Sequence, residues 1–243
     1  MKLIADMHTH TIASHHAYST VLENAAQARK NGLEAFACTD HALGPHFPDA
    51  PIDWHFTCMD MLPDSIEGVW LFRGIETNVS GLEGGLDTAE DVLKKMEWVI
   101  ASIHDRAIRK GSMEDRDRMW QRIAENPLVD VIGHSGRAGY EYHPEKVAPL
   151  FKEAGKFVEI NSHSLDMGSD TVGNCREIAL CCKKYGAPVV VNTDSHFCAG
   201  IGRADKALQM LEELDFPAGL VLNADADWFY EHMAKRTGRS FGR

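Results

Sequence analysis

No stretch of this sequence approaches the roughly 18 consecutive apolar residues needed to span a bilayer, so a membrane-embedded protein is not expected. Basic charge is also short: 25 Lys and Arg stand against 36 Asp and Glu, a formal net charge of -11. An extended nucleic-acid partner needs a basic surface to displace counterions from its phosphates, and that class of partner is therefore not expected. A single phosphate stays within reach if bound cations supply the positive charge. The six cysteines, at 38, 58, 175, 181, 182 and 198, show no paired zinc-ribbon spacing. They fit free thiols in a reducing compartment, with Cys181 and Cys182 read as one core and one surface thiol. No Pro-, Gly- or Ser-rich tract marks a linker, and the chain begins on a strand rather than on a basic segment followed by an apolar run. The expectation is a soluble, cytoplasmic protein forming one domain over residues 1–243, with a homo-oligomer left open.

What is present is a series of short apolar runs, each ending in a polar ligand type. Ile4-Ala5-Asp6-Met7-His8-Thr9-His10 is followed by His41 after Ala37-Cys38-Thr39-Asp40, Glu76 after Phe72-Arg73-Gly74-Ile75, and His104 after Val99 to Ile103. His134 follows Val131-Ile132-Gly133, and Asp194 with His196 follows Val189 to Thr193. The interval is close to 30 residues, the length of a strand, a helix and two loops. Another apolar run, Phe157 to Ile160, falls halfway along the one double-length gap. Seven strands alternating with helices predict an α/β chain folded as a distorted (β/α)7 TIM-like barrel. Its chemistry would sit at the C-terminal ends of the strands. Helices are expected near 21–31, 87–96, 113–125, 145–154, 175–185, 203–214 and 225–237. The Pro-rich loop 44–53, with His46, should lie over the site mouth. Residues two apart on a strand share a face, so Asp6, His8 and His10 should point the same way. Buried together, they would need metal ions or hydrogen bonds to replace lost water.

The set Asp6-x-His8-x-His10, Thr39-Asp40-His41, Gly74-Ile75-Glu76, Ile103-His104, Gly133-His134 and Thr193-Asp194-Ser195-His196 resembles the successive motifs of the polymerase and histidinol phosphatase (PHP) family. The resemblance covers the whole chain. It is nearest to the small single-domain bacterial phosphatases, because Ala13-Ser14-x-His16-Ala17-Tyr18-Ser19 and Asn174-Cys175-Arg176-Glu177 match as well. It implies nine ligands and three divalent ions, with zinc or manganese favoured and iron an option. His8, His10 and Asp194 would hold the first ion. Glu76 would bridge it to a second held by His104 and His134, and His16, His41 and His196 would hold the third. Where relatives often have His-Pro-Gly, this chain has His134-Ser135-Gly136-Arg137.

Such a site suits phosphoester hydrolysis, since a hydroxide bridging two metal ions is a nucleophile available near neutral pH. Glu76, Asp194 and Asp40 are the expected catalytic residues, Asp40 either orienting an imidazole or donating a proton. Arg137, Arg203 and His163 are expected substrate contacts, and Trp54 and His55 are weaker ones from the loop. Trp120 and Phe56 should be packing residues. The expected substrate is a small phosphomonoester. The alternatives are a phosphodiesterase or exonuclease and, from another class, a non-catalytic metal-binding protein.

Overall fold

The computed structural model describes all residues except 45, 46, 106, 107 and 243, so His46 and Arg106 lie outside the described residues. In chain order the elements are β1 (Ala5–Thr9), α1 (Val21–Lys30), β2 (Ala35–Cys38), α2 (Asp53–Thr57), β3 (Ser65–Ile66), β4 (Val69–Asn78), α3 (Glu90–Leu93) and β5 (Trp98–Ser102). There follow α4 (Met113–Glu125), β6 (Val131–Ile132), α5 (Pro144–Glu153), β7 (Phe157–Asn161), α6 (Ser169–Tyr185), β8 (Val189–Asn192), α7 (Asp205–Glu213) and α8 (Ala226–Thr237). Local chemistry sets several boundaries. Thr20 with Glu23 and Ser112 with Asp115 form capping boxes at α1 and α4. Pro144 opens α5, and Gly186 and Gly238 close α6 and α8 in the left-handed conformation.

Seven strands run parallel in the order β1-β2-β4-β5-β6-β7-β8, and β3 adds an antiparallel hairpin strand on β4. This is the expected barrel with one small addition. Between β8 and β1 the ladder gives way to a seam of side chains. Asn223 Nδ2 donates to Ala5 O (2.8 Å) and Val191 O (2.6 Å), while its Oδ1 accepts from Val191 N (3.1 Å). Asn192 Oδ1 accepts from Met7 N at 2.9 Å. Above them Thr9 and Ser195 form a parallel bridge, with His10 N donating to Ser195 O.

The barrel interior is stratified. Its lower half is apolar: Ala5, Met7, Ala35, Ala37, Phe72, Trp98, Ile100, Val131, Phe157 and Val190 pack with Phe229, Tyr230 and Met233 of α8. Continuing up the same strands, the inward positions become Glu76, Glu159, Asn161, Asn192 and Asp194. A second apolar layer lies between strands and helices, with Trp120 and Phe56 fully buried in it. Two expectations are corrected. The helix expected over 87–96 is only Glu90–Leu93, because the chain after β4 first turns back, Ser80 N bonding Gly85 O and Val79 pairing with Leu86. Cys181 and Cys182 are both buried.

Candidate metal centre

The first strand carries an irregularity that the sequence pattern hides. The register of β1 on β2 shifts between Asp6 and Thr9. Ala5 and Met7 therefore face the apolar interior below the shift, and His8 and His10 face inward above it. Asp6 does not share their face. Its carboxylate accepts from Thr193 N, Thr193 Oγ1 and Gly202 N, fastening the loop after β8 to β1. A β-bulge of this kind re-aims side chains at a strand end.

Glu76, fully buried at the upper end of β4, is the centre of the cluster. Its Oε2 lies 2.8 Å from His41 Nδ1, 3.4 Å from His8 Nε2 and 3.5 Å from His10 Nε2. Its Oε1 lies 2.8 Å from His134 Nε2 and 3.6 Å from His104 Nε2. Asp194 Oδ1 stands 3.1 Å from His10 Nε2, 3.5 Å from His8 Nε2 and 3.6 Å from His196 Nδ1. His16 and His196 meet through their Nε2 atoms at 2.9 Å, and the His16 and His41 rings stack with centroids 4.9 Å apart. The nine residues expected as ligands thus converge on one point of the barrel mouth. The tightest donor groups are His8, His10 and Glu76; His41, Glu76 and His104; and His10, His41 and His196. His41 therefore sits nearer to Glu76 than the expected grouping with His16 and His196 requires.

Several imidazoles are oriented from behind through Nδ1, leaving Nε2 for the cluster. His104 Nδ1 meets Asn78 Oδ1 at 2.6 Å, and Asn78 is itself turned by Asp87, which accepts from its Nδ2. His16 Nδ1 donates to Ser14 O and His196 Nδ1 to Asp194 O. Asp194 holds φ at 56°, a left-handed conformation uncommon outside glycine and characteristic of constrained functional positions. Asp40 works at one remove. It accepts from Ser14 Oγ (2.7 Å), Thr11 N (2.7 Å) and Thr11 Oγ1 (2.8 Å). Ser14 Oγ in turn lies 3.2 Å from His10 Nδ1 and accepts from His41 N. Burial opposes ionisation of Asp40, yet His55, His10 and these donors hold its carboxyl well below the usual range. This arrangement is that of the orienting alternative for Asp40, which reaches His10 through Ser14.

Electrostatics prepare the cluster for cations. Burial alone would raise the pKa values of Glu76 and Asp194, but the surrounding imidazoles hold both well below the usual carboxylate range. Burial and mutual repulsion lower His10, His16, His41 and His196, keeping them neutral. Three facing atoms, His8 Nε2, His41 Nδ1 and Glu76 Oε2, are buried without a satisfied hydrogen bond, although His41 Nδ1 comes within 2.8 Å of Glu76 Oε2. Buried orphan donors and acceptors aimed at each other are expensive unless an ion lies between them. The residues fit divalent metal.

The cluster floors a cavity of about 730 Å³. Arg137, Arg203 and His163 line it, together with Phe47, Met167, Phe197 and the hydroxyl residues Ser162, Ser164, Thr193 and Ser195. Arg137 is held by Asp105 at 2.7 Å. Trp54 and His55 do not line this cavity; Trp54 is exposed and His55 faces Asp40. The residue that the sequence patterns did not single out is Glu159, buried within β7 against His8. The signal was available: an acidic residue inside the apolar run Phe157-Val158-Glu159-Ile160 has no reason to be there unless it has a buried partner.

No protein-family model matches the chain. Among its relatives are a probable phosphatase of Acetivibrio thermocellus, 41% identical over 239 residues and covering 98% of each chain, and a probable phosphatase of Clostridium novyi, 40% identical over 226 residues, 93% of this chain and 92% of that one. Among solved structures, the histidinol phosphate phosphatase of Lactococcus lactis, complexed with zinc, L-histidinol and phosphate, is similar at a TM-score of 0.61. That likeness covers 89% of this chain and 95% of the other at 15% identity, and it bears on the fold.

Proposed function

The chain belongs to the family of these probable phosphatases, and from that premise we propose that it is a PHP-type hydrolase that cleaves small phosphomonoesters at a site of three divalent ions, zinc or manganese first and iron as an alternative. In this reading residues 1–243 form one cytoplasmic phosphatase domain. Among the described residues no helix is long and apolar enough to cross a membrane. The observation that carries the reading is the two-sided placement of Glu76, whose oxygens face different sets of imidazoles.

His8, His10, Asp194 and Glu76 would hold the first ion, Glu76, His104 and His134 the second, and His16, His41 and His196 the third. When bound, the ions supply Lewis acidity, neutralising phosphoryl oxygens and acidifying water enough for attack near neutral pH. The chain's own residues do the rest. Glu76 and Asp194, with Glu159 behind them, bring three buried carboxylates against three dications, and the remaining positive charge suits a phosphate dianion. Arg137 and Arg203 line the side of the cavity from which a phosphate oxygen can accept hydrogen bonds. The imidazoles of the cluster would hold the ions, and a phosphate drawn to them would present its leaving oxygen to the open cavity for in-line displacement. His163, Ser162 and Ser195 line the same cavity and are candidates to meet the leaving alcohol.

The test is hydrolysis of p-nitrophenyl phosphate against its bis ester, with chelated protein and with protein reloaded by Zn or Mn. Activity on the monoester that chelation abolishes and metal restores is expected. Activity confined to the diester would replace this reading by a phosphodiesterase, and full activity after exhaustive chelation would end it.

A further inference from the structure

Glu159 makes four contacts, and every partner atom is a nitrogen. Oε1 accepts at 2.7 Å from His8 Nδ1 and at 2.8 Å from Asn192 Nδ2. Oε2 accepts at 2.8 Å from the main-chain N–H of His134 and at 3.1 Å from Asn161 Nδ2. Main-chain amides fix the orientation of both asparagines. Met7 N donates to Asn192 Oδ1 and Ser164 N donates to Asn161 Oδ1, so each carboxamide must turn its NH2 toward Glu159. Asn161 Nδ2 also reaches Asp194 Oδ2 at 3.2 Å. An ionised carboxylate accepts at both oxygens and donates at neither, and it is the one side chain of this size that satisfies four donors at once.

We propose that Glu159 is a positioning residue: it forces His8 to carry its proton on Nδ1 and locks that imidazole to the main chain of His134, aligning candidate ligands on both sides of Glu76. The proposal rests on the metal-site reading above. With Nδ1 committed, the lone pair of His8 Nε2 has one direction left, toward Glu76 Oε2 at 3.4 Å and Asp194 Oδ1 at 3.5 Å, where it finds no hydrogen-bond partner. The side chains of His8 and Glu159 are completely enclosed. The Asn161 link extends the same scaffold to Asp194. A single buried acid thereby sets His8, the His134 main chain and Asp194 relative to one another, and outer carboxylates in this role are worth roughly 10- to 100-fold in metal affinity.

Glu159→Gln tests the assignment. However the new amide is turned, its NH2 meets two donors. Titration of metal-free protein with Zn in competition with a chromophoric chelator should show affinity weakened by about 10- to 100-fold for one class of ion. In a His8→Ala background the same change should weaken zinc binding less than it does in wild type, because the part of the effect that runs through His8 is already gone. A purely structural role predicts the opposite pattern: a lower melting temperature of metal-free protein, unchanged zinc affinity and full additivity, and that result overturns the proposal. Wild-type protein offers a reading independent of folding in the variant. Nitrogen NMR of the zinc-loaded chain should show His8 protonated at Nδ1 and metallated at Nε2, and coordination through Nδ1 would refute the assignment. Wild-type protein that binds no zinc would sink the metal reading itself, whereas tight zinc binding by both wild type and Glu159→Gln would sink this inference alone.

Discussion

Glu76→Gln is the sharpest perturbation of the centre, because it keeps the side-chain volume while removing the charge that five imidazole nitrogens approach within 3.6 Å. On the proposed assignment, the second ion would be left with His104 and His134 alone, and the first with His8, His10 and Asp194. Two neutral imidazoles are too few for a stable site, so one ion should be lost and another weakened. The magnitude follows from linkage. An ion present at a thousandfold excess over its dissociation constant stabilises the fold by about 4 kcal/mol. With an unfolding entropy of about 2.1 cal/mol/K per residue, a chain of this length loses about 8 °C of melting temperature for each such ion removed. The assay is elemental analysis of gel-filtered protein together with melting curves with and without metal. The metal-induced rise should shrink by about 8 to 16 °C relative to wild type, and the stoichiometry should fall from three to two or fewer. Undiminished stoichiometry with an unchanged rise would show that Glu76 bridges nothing.

Other expectations follow from the same geometry. His15, left-handed at φ 63° and absent from the cavity lining, should be dispensable for metal content, whereas His16→Ala should lower it; the reverse pattern would refute the choice between them. Burial and like charge lower His10, His16, His41 and His196 from the ordinary 6.5, while Glu159, Asp194 and Glu76 override burial to raise His8, and Glu76 does so for His134. Well below pH 6.5 the two raised groups are protonated in both states and add no slope, whereas the unfolded chain holds protons that the four lowered imidazoles refuse, so metal-free protein should lose stability as pH falls further. Urea unfolding at pH 6.0 and 5.0 checks this, and greater stability at 5.0 would contradict it. Asn223→Ala removes three hydrogen bonds at the β8–β1 seam and leaves a buried amide and two carbonyls unmatched. It should cost roughly 3 kcal/mol or more in denaturant unfolding, and a loss below about 1 kcal/mol would mean that the seam closes without it.

The barrel was legible in the sequence because each parallel strand is a short apolar run and each delivers a polar residue at its upper end, so spacing alone located β2, β4, β5, β6 and β8. Convergence of the ligand types was legible for the same reason: upper ends of strands in one barrel share one mouth. Period-two reasoning failed within Asp6 to Thr9, where one register shift changes which residues face inward. No local composition announces a bulge. It is a property of the pair, set where β1 must pair with β2 and also reach Ser195 across the seam.

What lay beyond the sequence shares one physical character: it depends on who faces a polar group from a distant strand. Asp40 could be read from the sequence either as orienting an imidazole or as donating a proton, because its donors Thr11 and Ser14 come from the loop after β1. Glu159 passed as part of the apolar run Phe157 to Ile160, yet its partners come from β1, β7, β8 and the segment just after β6. Most of the candidate ligands sit at or just after a strand end, which constrains their position along the chain and leaves a spacing to read. A residue that orients a ligand needs only an inward side chain one layer below it, and any strand can provide one. Metal-binding residues therefore leave a periodic trace, while the groups that aim them become visible only once the strands are assembled.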